Sequence, residues 1–366
     1  MKPKIAVLVL GYKAKENVDD CFFNLLNQDY KNYEVWFADN NSNDGAVEYI
    51  KRNFSKVKVI SFDKNYGYAG GNNRMLKMAF NKGADFCMIL NADIKVEKDL
   101  LTSVMATYER KKKLGTKVGL IQPVIMLFKK PELINTAGNI AHYLGFGYCG
   151  SYLSNKIPEK DSEIVSVSGT AMFVSKKYYE EVGLFDEDFF MYNEDQNYSW
   201  RGLMRGYKHF LSAKGRIWHK YEFSKNKNKW FHSEKNRIKM VLENYEKKTL
   251  FLLLPILVIN EILLVIYSLT DGWFVLKLMS YNYLIKNFKF ILKRRKYIQE
   301  NRVVKDKEIV GKFSGNLSFA EKDGFLIRMV LNHVYGLYFE IIKAFLGFAQ
   351  FATIVIIFYW RVEVIS

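Results

Sequence analysis

The densest group of reactive side chains in the chain lies between residues 186 and 201. These sixteen residues carry five carboxylates, among them the neighbours Glu194 and Asp195, interleaved with large aromatic rings. A carboxylate wedged between rings loses water, which raises its pKa and suits it to accept a proton at neutral pH. The same pattern also fits an ordinary helix start, where acidic residues favour the first turn and the rings pack in the core.

The elements that would position these carboxylates begin near residue 4. Up to about residue 127, short apolar or β-branched runs alternate with segments of helical period. The predicted strands are 5–10, 33–38, 57–62, 86–90 and 118–126, and the predicted helices are 16–28, 46–54, 71–82 and 98–111. This alternation predicts an α/β fold with a parallel sheet covered on both faces, in which ligands bind beyond the carboxyl ends of the strands.

Three consecutive strand ends carry polar residues. The second is followed by the turn 39–45, which starts with a carboxylate, and the third by the glycine-rich loop 65–73, whose amides can approach phosphate. Asn91 and Asp93 follow the fourth and offer oxygen ligands to a hard cation. Each segment alone is typical of a plain turn. Three together favour a ligand site.

The next part of the chain is less regular. Residues 128–163 mix glycines with aromatic residues and are predicted as a mobile, acceptor-facing loop over the site. A strand at 165–174, a helix at 176–182 and a strand at 208–213 are predicted after it. His219 follows the last of these strands, and a metal at Asp93 would need a further ligand. His219 is therefore the histidine predicted to bind that metal, and the other four are interpreted as structural.

The composition indicates the type of partner and the cellular compartment to expect. A net charge of +17 over 366 residues calls for an anionic partner, which means nucleic acid, a membrane face or a phosphorylated substrate. The basic residues cluster beside apolar runs and no nucleic-acid motif is present, which argues against nucleic acid. The three cysteines share no metal spacing, and the first apolar run is too short for a signal peptide, so a reduced cytoplasmic setting is expected.

Taken in order, these motifs resemble the family 2 glycosyltransferases of the GT-A fold, and within them the rhamnosyltransferase-like enzymes of bacterial and archaeal surface-polysaccharide assembly. The resemblance covers about residues 4–260. The matching pieces are Asp39-Asn40 with Ser42 and Asp44-Gly45, Asn65-x-Gly67-Tyr68-x-Gly70-Gly71-Asn72-Asn73, Leu90-Asn91-x-Asp93, Ser168-Gly169-Thr170-Ala171-Met172, Gly183-Leu184-Phe185-Asp186-Glu187-x-Phe189-Phe190-Met191-Tyr192-x-Glu194-Asp195, Trp200-Arg201, and His219 with Ser224.

The resemblance implies a donor site for a nucleotide sugar. Asp39 would contact the nucleobase, and Asn91 and Asp93 stand where the family keeps its Asp-x-Asp metal motif. Asp93 would hold Mg²⁺ or Mn²⁺ on the diphosphate, with His219 as a further metal or diphosphate ligand. The other residues expected at the nucleotide are Gly11, Tyr12, Asn41, Asn65, Gly67, Gly70, Asn72 and Asn73.

The resemblance also implies that Asp195 is the general base of an inverting transfer, with Glu194 positioning the acceptor or tuning Asp195. Three residues depart from the family pattern. Asn91 replaces the commoner Asp of the metal motif, Arg74 replaces a Gly, and Asn197 replaces a frequent Asp. These departures keep a catalytically inactive sugar-binding or glycan-binding protein as the alternative.

The last third of the chain is apolar and basic. The runs 250–269 and 341–360 are each long enough to span a bilayer. Lysines and arginines crowd both sides of the first run, which favours a segment lying in the interface, with both flanks on the anionic cytoplasmic face of the membrane. The alternative is a buried helical hairpin that supports a homo-oligomer.

Together these features predict a GT-A domain at 1–245 and a membrane-associating helical region at 246–366. The expected reaction moves a sugar, L-rhamnose from dTDP-rhamnose by the resemblance, to a lipid-linked or growing glycan. A nicotinamide-dependent oxidoreductase fits less well, because its glycine-rich fingerprint belongs after the first strand and here the loop follows the third.

Overall fold

The computed structural model describes residues 2–220, 229–318 and 330–347, which form two units. The first unit comprises residues 1–139 and 149–227, and the second comprises 140–148 and 228–366. The predicted domain boundary at residue 245 therefore lies inside the second unit.

The first unit is built on one mixed β-sheet. The strands of the chain are β1 (Ile5–Gly11), β2 (Tyr33–Asp39), β3 (Val57–Ser61), β4 (Phe86–Asn91), β5 (Ile94–Val96), β6 (Val118–Leu127), β7 (Ile134–Thr136), β8 (Asn139–Ala141), β9 (Gly147–Cys149), β10 (Ser162–Ile164), β11 (Ala171–Ser175) and β12 (Lys208–His219). The main sheet runs in the order β10-β12-β6-β11-β4-β1-β2-β3, with β5 paired to β12 and β7 paired to β6.

The strand β11 adds an antiparallel member to the predicted parallel sheet. The strands β1, β2, β3 and β4 pair in parallel as expected. Between β4 and β6 the sheet accepts β11, which is antiparallel to both. Strand–helix alternation reports only on consecutive segments, so it could not show that a later strand would separate β4 from β6.

Helices cover both faces of this sheet. In the first unit they are α1 (Val18–Leu25), α2 (Ala46–Asn53), α3 (Gly67–Asn81), α4 (Leu100–Lys113), α5 (Lys176–Val182) and α6 (Glu194–Met204). Alternate residues of β1 enter different core clusters, with Val7 and Val9 in one and Ala6 and Leu8 in the other. This alternation confirms a sheet buried on both faces, as its apolar strands predicted.

Two irregular stretches differ from prediction. The segment 128–163, predicted as a mobile loop, contains β7 to β10. The strand predicted at 165–174 begins only at Ala171, because the amides of Ser168 and Gly169 turn aside to donate to the side chains of Gln122 and Asp195.

The second unit is helical. Its helices are α7 (Lys229–Asn244), α8 (Lys247–Thr270), α9 (Phe274–Lys286), α10 (Phe288–Glu300), α11 (Asp306–Ile309) and α12 (Asn332–Leu346). The first apolar run lies within α8. The second begins at the end of α12, and its residues 348–360 lie outside the described part of the chain.

Candidate active site

The carboxyl ends of β1, β2 and β4 form one edge of the sheet. The register sets Gly11 beside Asp39 and Leu10 beside Asn91, so three predicted nucleotide residues share this edge. Glycine is required at position 11, since a Cβ there would lie 2.4 Å from Cε2 of Phe37.

The turn after β2 is held by its own side chains. Asp39 is 6% exposed and accepts from the backbone N–H of Ser42 at 3.0 Å and from the Ser42 hydroxyl. Tyr12 and Asn41 are exposed beside this edge, and Tyr12 is 52% exposed. Both side chains are therefore accessible to a nucleotide bound at this edge.

Asn40 joins this turn to the glycine-rich loop. Its amide donates to Oδ1 of Asn65 at 3.0 Å and to the carbonyl of Gly67 at 3.1 Å, and it accepts from the N–H of Tyr66 at 2.9 Å. The sequence had offered Asn40 only as part of a motif. Its position directly after Asp39, at a strand end, was the available signal.

The start of α3 allows the acidic stretch to approach closely. Gly67 has φ of +68°, and a Cβ there would lie 2.4 Å from the carbonyl oxygen of Phe190. That same oxygen accepts from the N–H of Ala69 at 3.1 Å. Gly70 is buried one turn into the helix.

Asn72 and Asn73, which were predicted at the nucleotide, are buried in α3, at 0% and 1% exposure. Asn73 donates to the carbonyl of Phe185 at 2.9 Å and accepts from the Phe185 N–H at 3.0 Å. Asn72 donates to the carbonyl of Tyr68 at 3.0 Å. Asn73 therefore braces the backbone that leads into the acidic stretch.

Arg74, which stands where the family has a Gly, is held against its neighbours. Its guanidinium carbon lies 3.3 Å from the ring centroid of Tyr66, and it pairs with Glu187 at 3.3 Å.

Asp195 lies in the first turn of α6 with both carboxylate oxygens engaged. Oδ2 accepts from the N–H of Gly169 at 2.8 Å and Oδ1 from the N–H of Gln196 at 2.7 Å. Burial raises the pKa of Asp195, and the backbone hydrogen bonds oppose that rise. The result is a fixed, partly exposed carboxylate suited to taking up a proton.

Glu194 has a different environment. It is 6% exposed, and its Oε2 has no hydrogen-bond partner among the described residues. Burial, followed by the charge of Asp195, raises the pKa of Glu194 well above its usual range. Two adjacent carboxyl groups with different surroundings can hold different protonation states.

Tyr68 supports this arrangement from α3. Its hydroxyl donates to the carbonyl of Gly169 at 2.5 Å, on the residue whose N–H binds Asp195. In the sequence, Tyr68 stands out only as a member of the glycine-rich loop.

Asp93 and His219 are brought together by β5. The register pairs His219 with Ile94, the residue after Asp93, and His219 Nε2 lies 3.4 Å from Asp93 Oδ1. On its other side, His219 Nδ1 lies 3.1 Å from Oδ1 of Asn135. Ser224, the last residue of the motif, lies outside the described residues.

One carboxylate and one imidazole fit a divalent cation that also binds substrate. Mg²⁺ is commonly held by one or two carboxylates together with substrate phosphates and water. Within residues 2–220, 229–318 and 330–347, no group of three His, Cys, Asp or Glu side chains is placed to hold a metal ion. The Asp93–His219 pair therefore suits an ion that is completed by diphosphate oxygens.

Comparison with known proteins indicates the family and the fold. Residues 6–183 match the family model for glycosyl transferase family 2. The low-salt glycan biosynthesis hexosyltransferase Agl10 of Haloferax volcanii is 22% identical over 209 residues, which are 55% of this chain and 62% of the relative. The poly-beta-1,6-N-acetyl-D-glucosamine synthase of Staphylococcus aureus strain COL is 25% identical over 56% of this chain and 47% of the relative. The chain thus spans less than two thirds of these relatives.

Solved structures agree on the fold. A crystal structure of GalNAc-T7 with UDP, GalNAc and Mn²⁺ has a TM-score of 0.55 and 15% identity, over 67% of this chain and 48% of that chain. S. aureus TarS 1–349 in complex with UDP has a TM-score of 0.50 and 13% identity, over 94% and 90%. The family match shows that residues 6–183 form a glycosyl transferase family 2 domain, and the solved structures agree with the GT-A fold.

Proposed function

We propose that this protein transfers a sugar, with inversion, from a nucleotide-sugar donor to an acceptor hydroxyl, with Asp195 as the general base. The observation that carries the proposal is that two backbone N–H groups hold the Asp195 carboxylate. Gly169 donates to Oδ2 at 2.8 Å and Gln196 donates to Oδ1 at 2.7 Å. A base held in this way needs little reorganisation when the acceptor arrives.

In the proposed reaction the acceptor oxygen attacks the anomeric carbon of the donor. Its proton passes to the carboxylate of Asp195 as the new carbon–oxygen bond forms. The bond from the anomeric carbon to the diphosphate breaks, and the nucleoside diphosphate leaves with the electron pair. Burial raises the pKa of Glu194, which favours its neutral form beside the charge of Asp195.

The donor would lie along the edge formed by β1, β2 and β4. Tyr12, Asp39 and Asn41 would contact the nucleoside, and the loop from Asn65 to Gly70 would offer backbone groups to it. Asp93 and His219 would hold Mg²⁺ or Mn²⁺ against the diphosphate. When bound, that ion neutralises the charge that develops on the leaving group.

The sugar and acceptor are the finer part of the proposal. The motif order supports L-rhamnose from dTDP-rhamnose as donor. A lipid-linked or growing glycan as acceptor is supported by a Methanococcus voltae relative that is 29% identical over 33% of this chain and 39% of its own length. That relative is a dolichyl N-acetyl-alpha-D-glucosaminyl phosphate 3-beta-D-2,3-diacetamido-2,3-dideoxy-beta-D-glucuronosyltransferase.

We further propose that the second unit binds the cytoplasmic face of an anionic membrane. Among the described residues, α8 is the one helix long and apolar enough to cross a bilayer, and only 22% of its most apolar stretch is buried. Large apolar side chains are exposed along α8, namely Phe251, Leu254, Val258, Ile262, Ile266 and Leu269. The helix α10 adds exposed apolar and basic side chains, which suits an anionic lipid surface.

A buried ionic cluster supports an interfacial position for α8 rather than a span. Glu261, near its middle, pairs with Arg237 of α7 and with Lys277 of α9, the latter at 2.7 Å. The hydroxyl of Tyr281 also donates to Glu261 at 2.7 Å. Because the middle of α8 is tied to α7, which carries many charged residues, a central bilayer position would carry those charges into the hydrocarbon.

Vesicle flotation tests the membrane proposal. The protein should float with phosphatidylglycerol vesicles and far less with phosphatidylcholine vesicles, and Ile262→Lys should reduce flotation. Leu114→Lys, at an apolar residue of the first unit that is 76% exposed, is the matched control. If Ile262→Lys instead splits an oligomer of a protein that never floats, the face is an interface between copies.

Transfer of labelled sugar from nucleotide donors to lipid and glycan extracts tests the catalytic proposal. Asp195→Asn should abolish transfer and leave nucleotide binding nearly intact, whereas Asp19→Asn, at an exposed position in α1, should be active. Near-normal turnover by Asp195→Asn would remove the assigned base. A wild-type protein that binds nucleotide or glycan and never transfers would establish the inactive binding protein instead.

A further inference from the structure

A stripe of exposed lysines runs from the last turn of α9 along α10. This lysine stripe consists of Lys286, Lys289, Lys293 and Lys296, all of them exposed. Intervals of three, four and three residues place side chains on one side of a helix. Helical hydrogen bonds continue across the junction of α9 and α10, because Asn287 N–H donates to Tyr283 and Ile291 N–H donates to Asn287, each at 3.0 Å.

The packed side of α10 lies opposite the lysine stripe. Ile291 and Ile298 are 1% and 6% exposed, and each lies two residues after a lysine of the stripe. Because an α-helix has about 3.6 residues per turn, two residues turn a side chain by about 200°. The lysines therefore point away from the packed side of the helix, and packing does not account for their spacing.

Three of these lysines have no neutralising partner in the described part of the chain. Within residues 2–220, 229–318 and 330–347, Lys286, Lys289 and Lys293 form no ion pair, and Lys296 pairs with Glu300 at 3.8 Å. Like charges one turn apart on a helix repel each other. The stripe thus carries positive charge that the protein leaves uncompensated, and an anionic partner would relieve the repulsion.

Exposed apolar side chains flank the lysine stripe on both sides. Phe288 and Leu292, 50% and 46% exposed, each precede a lysine of the stripe, and Phe290 and Tyr297, 43% and 59% exposed, each follow one. One residue turns a side chain by about 100°, so these side chains border the two edges of the stripe. A bilayer interface presents phosphates next to hydrocarbon, whereas a nucleic-acid duplex presents its phosphates without hydrocarbon. The flanks therefore favour anionic lipid over nucleic acid.

We propose that the lysine stripe is the surface that selects anionic lipid, with the lysines at the headgroup phosphates and the flanking apolar side chains inserted beside them. This inference rests on the membrane binding proposed above and deepens it by naming the side chains that bind the headgroups. The exposed apolar residues of α8 would enter any bilayer. The stripe makes binding depend on lipid charge, and salt should weaken that part of the binding.

Partition of the full-length protein into phosphatidylcholine vesicles with increasing phosphatidylglycerol, measured by flotation, tests the proposal. A lysine near an anionic surface contributes about 1 kcal/mol, which corresponds to about a fivefold change in partition. The double variant Lys289→Gln/Lys293→Gln should therefore bind phosphatidylglycerol vesicles about 25-fold more weakly, with a smaller dependence on salt. Lys289→Arg/Lys293→Arg keeps the charge and should bind as the wild type does.

Two further double variants serve as controls, and circular dichroism shows whether each is folded. Lys305→Gln/Lys307→Gln removes two exposed lysines of the same unit outside the stripe and should lower the partition far less. Phe288→Ser/Leu292→Ser should weaken partition into both kinds of vesicle and leave its salt dependence unchanged, because it removes apolar area and no charge.

The outcomes separate this inference from the membrane proposal on which it rests. Equal losses in the two lysine-to-glutamine pairs would overturn the role of the stripe and leave membrane binding standing. A wild-type protein that binds no vesicle would contradict membrane binding and the stripe with it. Binding to an RNA duplex that Lys289→Gln/Lys293→Gln loses, with vesicle partition unchanged, would make nucleic acid the partner and overturn the proposal.

Discussion

Replacing Asn73 with alanine should loosen the backbone that presents Asp195. The Asn73 amide satisfies both the N–H and the carbonyl of Phe185, at 3.0 and 2.9 Å, and Phe185 is 3% exposed. In Asn73→Ala both backbone groups stay in the core without that partner. Each buried unpaired group costs about 1–3 kcal/mol, so the free energy of unfolding should fall by about 2–6 kcal/mol.

Asn72→Ala is the matched control. Asn72 is the preceding residue of α3 and is equally buried, but its amide donates only to the carbonyl of Tyr68, one turn earlier in the same helix. Its loss should cost about 1 kcal/mol. Urea denaturation followed by circular dichroism measures both variants.

Asn73→Ala should also reduce turnover. A displacement of about 1 Å in a catalytic group can lower the rate about 10²-fold, so kcat of folded Asn73→Ala should fall while nucleotide affinity changes little. If Asn73→Ala is no less stable than Asn72→Ala, or keeps the wild-type kcat, then Asn73 does not brace the acidic stretch.

Three further outcomes follow from the site. Burial raises the pKa of Glu194, so the folded state keeps that proton to a higher pH than the unfolded chain does. The free energy of unfolding should therefore fall by about 1.4 kcal/mol per pH unit as pH rises between the folded and unfolded pKa values of Glu194. Glu194→Gln should remove this slope in urea denaturation at about pH 4 to 8. Burial also raises the pKa of Asp195, and a base must be unprotonated, so kcat/KM should rise with pH through a midpoint above 3.8; a midpoint at or below that value would contradict the assignment. Gly67→Ala should cost about 1–2 kcal/mol for its positive φ and a further 1–3 kcal/mol for overpacking against Phe190, whereas Gly83→Ala, at φ +81° with nothing within 4 Å, should show only the first cost in thermal unfolding.

The sequence predicted the part of the fold that depends on local pattern. Apolar runs with regular helical segments between them are sufficient to predict β1 to β4, and the polar residues after those strands are placed along one edge of the sheet as expected. The register that sets Gly11 beside Asp39 follows from strands of similar length that end in turns.

Long-range packing set the limits of prediction. Nothing local in β11 shows that it enters antiparallel between β4 and β6. Asn73 has the same residue type and helical position as a phosphate-facing amide, and only its contact with Phe185, 112 residues later, shows its bracing role. The contact between Asn135 and His219 depends on a bulge that appears only when β7 pairs with β6.

The central claim is a metal-assisted nucleotide-sugar site, and calorimetric titration of the full-length protein with dTDP, UDP and GDP, each with and without Mn²⁺, tests it most directly. The account predicts that one nucleotide binds in a Mn²⁺-dependent manner, that dTDP is that nucleotide if rhamnose is the donor sugar, and that Asp93→Ala loses the Mn²⁺ dependence. Absence of binding by all three nucleotides, or equal affinity with and without Mn²⁺, would contradict it.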